Sequence, residues 1–229
     1  MATLAQLRSD LRTWTSTHAN VNVLPDAICD ECINAAIALM QEAHLWRGQE
    51  TTSITITYPA GAESIALPGD FVSQKAVYLQ NTSQTLPLAY IERTRRDDFI
   101  RADSPVGGVR DPYYPQVSPP SMATSSTGAN YAIWMEQLYL YPPPQSADLT
   151  LILDYWMRLP PLVDPDTDNF FTTRYPHVVR YGALADAYSY LHEEERGATY
   201  RQMFESMLAR VILDDKTLML AGGSMSRGA

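Results

Sequence analysis

Cysteine and histidine are the side chains best able to supply a nucleophile, a proton shuttle or a metal ligand, and this sequence holds two of the first and four of the second. Cys29-Asp30-Glu31-Cys32 has the spacing of a redox pair or half of a zinc site. A redox pair needs its first cysteine at the N-terminus of a helix that follows a strand, whereas Cys29 lies a turn inside a helix that follows another helix. Zinc needs four ligands; no second pair accompanies the cysteines, and His18 and His44 are isolated. Cys32 is therefore expected in the core, with Cys29 beside it. His177 falls in the first turn of a helix and His192 near the end of the same helix, where the dipole favours a cation. Neither has a Ser or Cys beside it in a nucleophile setting. Asp164-Pro165-Asp166-Thr167-Asp168 begins like a calcium loop but lacks the glycine and the distal glutamate, so it reads as an acidic connection. There is no phosphate-binding loop, dinucleotide fingerprint or HExxH. The residues thus point to a protein that binds other proteins and not to an enzyme, with no catalytic group, metal or cofactor expected.

The densest basic segment is RTRRDDFIR, residues 93–101, with Arg93, Arg95, Arg96 and Arg101 as candidate interface or channel residues. Asp97 and Asp98 follow at once, so internal ion pairs on a solvated face are the alternative. A net charge of −9 and an isoelectric point near 4.8 argue against a surface that grips nucleic acid, which needs clustered Lys and Arg. Lysine occurs only at Lys75 and Lys216, while the chain carries 14 Tyr, 4 Trp and 9 Met. Arg, Tyr, Trp and Met are the residues enriched in protein interfaces; a G+C-rich genome would favour Arg over Lys as well. No run of about 18 apolar residues could cross a bilayer, and two cysteines suit a reducing compartment, so cytosolic synthesis and no membrane partner are expected.

These residues have to be carried by a chain of 229 residues, 45% of them hydrophobic, which is enough for a substantial core. Leu4, Leu7, Leu11 and Trp14 behind Thr3 predict a helix over 4–16. A second starts at Leu24-Pro25-Asp26 and runs on the stripe Ile28, Cys32, Ala36, Met40 to near Trp46, closing a helical hairpin over 1–48. From Thr51 the period becomes two. A β-domain is expected over 51–158: Ile54–Tyr58 paired back with Ser64–Leu67 as a hairpin, then strands at 76–79, 86–91, 131–134, 138–141 and 149–157, six or seven in all. Residues 93–101 read as a short helical turn, and the Pro- and Gly-rich stretch 102–129 as a long loop, either functional or disordered. Helices over 175–221 carry the stripes Val178, Tyr181, Leu184, Tyr188 and Tyr200, Phe204, Met207, Val211. Residues 222–229 read as a flexible tail. The expected class is α+β: a four-helix bundle from the two chain ends with an inserted antiparallel β-domain.

The order of these features resembles the head-to-tail adaptor proteins of tailed bacteriophages. The resemblance is carried over residues 4–213 by the two-helix start, Leu67-Pro68-Gly69-Asp70-Phe71 entering a strand, the Arg96-Asp97-Asp98-Phe99 turn and Tyr131-Ala132-Ile133 before Leu138-Tyr139-Leu140-Tyr141-Pro142. Leu151–Trp156 with Leu159-Pro160 and the helix from Tyr175-Pro176 complete it. It implies a virion protein of the neck, assembled in the host cytoplasm. Such adaptors form a homo-oligomeric ring, commonly a dodecamer, between the portal protein and tail proteins, and lengthen a channel through which DNA passes without sequence recognition. A closing ring needs two different large surfaces per subunit. The resemblance also makes the C-terminal apolar cluster Leu218, Met219 and Leu220, with Arg227 beyond it, a candidate portal-docking arm. Leu218 and Leu220 folding back on the helices is the alternative. Another tail or baseplate structural protein is the rival reading, and an enzyme of unknown mechanism the third.

Overall fold

The computed structural model describes residues 2–18, 24–80, 85–91, 130–141, 143–144 and 147–224. The expected turn at 93–101 and loop at 102–129 lie outside the described residues. Among those described, five α-helices and eight strands make a mixed α+β chain, and contacts divide it into two units: Met1–Gln49 with Arg158–Ala229, and Glu50–Met157.

The first unit is helical. It contains α1 (Leu4–His18), α2 (Asp26–Ala43), α3 (Phe170–Arg174), α4 (Pro176–Tyr190) and α5 (Glu194–Ser224). α1 buries Leu4, Leu7 and Leu11, while α2 buries Cys29, Ile33, Ala36, Ile37 and Met40. These side chains share one core with Val178, Val179, Ala183, Leu184, Tyr188 and Phe204 of α4 and α5. Ion pairs fix α1 at its flanks: Arg8 onto Asp30, Arg12 onto Asp26 and Arg180 onto Asp10. Close approach of α2, α4 and α5 depends on Gly182, where a Cβ would come within 2.8 Å of Ala36 Cβ and 3.0 Å of the Phe204 ring. The returning chain at 159–162 is pinned by two amides of α2. Asn34 Nδ2 donates to Leu162 O (3.0 Å) and Asn34 Oδ1 accepts from Leu162 N (2.8 Å), while Gln41 Oε1 accepts from Leu159 N (2.8 Å).

α2 stops at Ala43, three residues short of the expected end. His44 turns extended (φ −161°), and Arg47–Gln49 form a 3-10 turn. The reason is Trp46, whose indole N–H donates back to Met40 O at 2.6 Å and whose ring is buried among His44, Phe170, Phe171 and Tyr175. α3 was not expected. Asn169 caps it with a full capping box, its side-chain oxygen accepting from Phe171 N and Thr172 N at 3.0 Å each. The C-terminal end also differs from expectation: α5 runs to Ser224, so Gly222 and Gly223 are helical and not the start of a tail.

The second unit is built from β1 (Glu50–Tyr58), β2 (Ile65–Ala66), β3 (Phe71–Gln80), β4 (Thr85–Pro87), β5 (Ala89–Tyr90), β6 (Asn130–Trp134), β7 (Gln137–Tyr141) and β8 (Leu149–Met157). They form two four-stranded sheets, ordered β1-β8-β3-β4 and β2-β7-β6-β5, antiparallel except for the β5–β6 pair. The expected hairpin between Ile54–Tyr58 and Ser64–Leu67 does not form: β1 pairs with β8 and β2 with β7, in different sheets. β8 offers nine residues of alternating burial, enough to pair the whole of β1, whereas β2 offers two. The intervening turn is tied elsewhere, with Gly61 (φ +75°) donating its N–H to Pro144 O at 2.8 Å. Tyr58, Leu67, Val77, Leu138, Leu140, Leu151, Leu153 and Tyr155 from both sheets make one core.

Candidate functional site

The residues singled out for chemistry take structural positions. Cys29 and Cys32 are both free and buried in α2. Burial pushes the Cys32 thiol up to about 12 and raises the Cys29 thiol too, the reverse of what a nucleophile or metal ligand needs. His192 is an exposed left-handed residue (φ +59°) in the turn between α4 and α5. Its N–H donates to Ser189 O at 3.1 Å and the Glu193 N–H to Tyr188 O at 2.9 Å, a Schellman closure of α4. His177 is exposed in the first turn of α4, and the side chain of His18 lies outside what is described. In the acidic connection, Asp164 turns its carboxylate onto Asp166 N at 3.2 Å and its carbonyl onto the Thr167 hydroxyl at 2.6 Å, ordinary turn chemistry. Among the described residues, no group of three or more His, Cys, Asp or Glu could hold a metal ion. Among them, too, no helix is long and apolar enough to cross a membrane.

The C-terminal helix is the element with an unusual surface. Its inward stripe runs through Gly197, Tyr200, Phe204, Met207, Leu208, Val211 and Ile212, at helical spacing against α4. The next inward position is Asp215, which is 0% exposed. Its carboxylate accepts from Arg47 Nε at 3.1 Å and from Arg47 N at 3.4 Å, and His44 Nε2 lies 3.4 Å away without hydrogen-bond geometry. Arg47 belongs to the corner that Trp46 holds, so the two ends of the helical unit meet at this carboxylate. Sequence reading passed over Asp215, although a charge falling on the stripe 204, 208, 211 was a visible signal.

Around this point α5 presents large apolar side chains outward, with Leu213 64% and Leu218 41% exposed. Met219 is half-buried. The side chain of Leu220, and Arg227 altogether, lie outside the described residues, as do Arg93, Arg95, Arg96 and Arg101. These exposed leucines lie close in sequence to Asp215, the buried end of its ion pair with Arg47.

A family model described as SU10 adaptor protein matches residues 2–227. No curated protein matches the chain.

Proposed function

The chain belongs to the SU10 adaptor protein family, a family of phage head-to-tail adaptors, and we propose that it forms a ring between portal and tail that extends the DNA channel. The family makes it a structural component of the virion neck, and the match over 2–227 is the observation that carries the reading. A closed ring, with twelve copies as the expected number, requires each subunit to offer two unlike surfaces to its neighbours. In this reading the helices from both chain ends form the bundle, and the β-unit inserted between them supplies a second surface. The net charge of −9 suits a channel wall along which DNA slides without being gripped. Arg93, Arg95, Arg96 and Arg101 are assigned to a subunit contact or to the channel, and Leu218, Met219 and Leu220 of α5, with Arg227 further along the sequence, to the portal.

Electron microscopy of the purified protein, alone and mixed with portal rings, tests the reading. A ring that stacks coaxially on the portal is the expected result. A protein that stays monomeric and leaves portal rings bare would overturn it.

A further inference from the structure

We propose that Asp215, Arg47 and His44 form a releasable clasp, which sets the point at which the C-terminal turns of α5 leave the helical unit. Three observations carry it. The apolar stripe of α5 ends at Ile212, and the next inward position is a fully buried carboxylate where leucine would continue the stripe. Both partners come from the corner after α2, 168 residues earlier in the chain for Arg47, so the contact fastens the end of α5 to a separate element. Past the clasp, Lys216, Thr217 and Leu218 are all exposed, so among the side chains described only Met219 is partly covered.

A buried carboxylate held by a partly exposed arginine is an inefficient fastener. An apolar group of similar volume closes such a contact as well or better, because the ions give up their hydration. What the ions provide is discrimination: the carboxylate is satisfied in one register of α5 against the corner and badly unsatisfied in any other. A stripe of leucines slides; this contact holds or opens. Leu218 lies one turn beyond Asp215, so opening the clasp moves a residue that is assigned to the portal. That last link rests on the docking reading above, while the clasp itself does not.

Hydrogen exchange on the full-length protein tests the clasp. Asp215→Ala should raise exchange of amides 213–219 at least tenfold while amides of α4 and of residues 198–211 stay within twofold of the parent. Arg47→Ala should act in the same direction and less strongly, and it decides the matter if Asp215→Ala does not fold. The pair Arg47→Met with Asp215→Leu should restore protection to the parent level or above. Unchanged exchange in both single variants overturns the proposal, and so does a rise spread evenly through α4 and α5, which would make Asp215 an ordinary part of the core. Exchange as expected, in a protein that does not bind portal, overturns the docking reading and supports the clasp.

Discussion

At the residue scale, His192 shows how a side chain that invites a catalytic reading can be held for its backbone. It occupies the left-handed position of a Schellman turn, where an L-residue costs about 1–2 kcal/mol and glycine meets no steric penalty. His192→Gly should therefore stabilise the protein by about 0.5–1 kcal/mol, since glycine's greater freedom in the unfolded chain takes back part of the gain. A urea midpoint that falls on this substitution would mean that the imidazole makes a contact worth more than the strain. Cys32 has the opposite lesson. Its thiol is raised to about 12 by burial first and the nearby Asp186 charge second. The neutral thiol is the form that the fold favours. Its contribution to stability is thus complete below the unfolded thiol's pKa of about 8.5 and is lost as pH climbs from there toward 12. Thiol titration at pH 8 should find no fast-reacting cysteine in the native protein and two in denaturant. Cys32→Ala should cost about 1 kcal/mol at pH 8 and flatten the alkaline fall in stability.

Among the described elements, the turn joining β6 to β7 carries two adjacent strained residues. Met135 (φ +47°) and Glu136 (φ +59°) are both left-handed in a two-residue hairpin loop, the pattern of a type I′ turn, for which Asn-Gly is the favoured pair. Met135 is 72% exposed, so no packing offsets the strain. Replacing the pair by Asn-Gly should raise stability by about 1 kcal/mol, read as a higher thermal midpoint, with the hairpin register that sets Trp134 opposite Gln137 kept. The same elements show what a sequence discloses. The helix expected over 4–16 spans Leu4–His18, and the strand expected at 149–157 is β8, because period and β-branching act locally. Pairing was illegible: nothing in Ile54–Tyr58 says that its partner is nearly a hundred residues on, and proximity in sequence suggested the wrong neighbour. The end of α2 was misplaced for a similar reason, since Trp46 breaks the helix only through its bond to Met40 and its aromatic neighbours from beyond residue 169. Asp215 was overlooked because its partner is likewise remote.

For the whole molecule, the decisive question is whether the end of α5 serves the fold or the partner, and the clasp decides where to cut. Ending the chain at Leu213 would remove Asp215 and leave Arg47 facing an empty, buried position, so lost stability would follow under either reading. Ending it at Thr217 keeps the clasp and removes Leu218, Met219, Leu220 and Arg227 together. If these residues dock on the portal, the shortened subunit should keep its thermal midpoint and its ring-forming ability. Its affinity for portal should drop several-fold, because covering the exposed two-fifths of Leu218 is worth about 0.6–1.2 kcal/mol and tenfold in affinity is about 1.4 kcal/mol. If they fold back on the helices instead, the midpoint falls and portal binding survives. The exposure of Leu218 favours the first outcome, and the half-burial of Met219 shows that the second also has a foothold. Leu218→Ser in the full-length chain separates the two without shortening the helix: loss of portal binding at unchanged stability assigns the leucine to docking. A Thr217-terminated subunit that keeps both its midpoint and its portal affinity would remove the end of α5 from the interface, and the outward Leu213 would then have to be tested in its place.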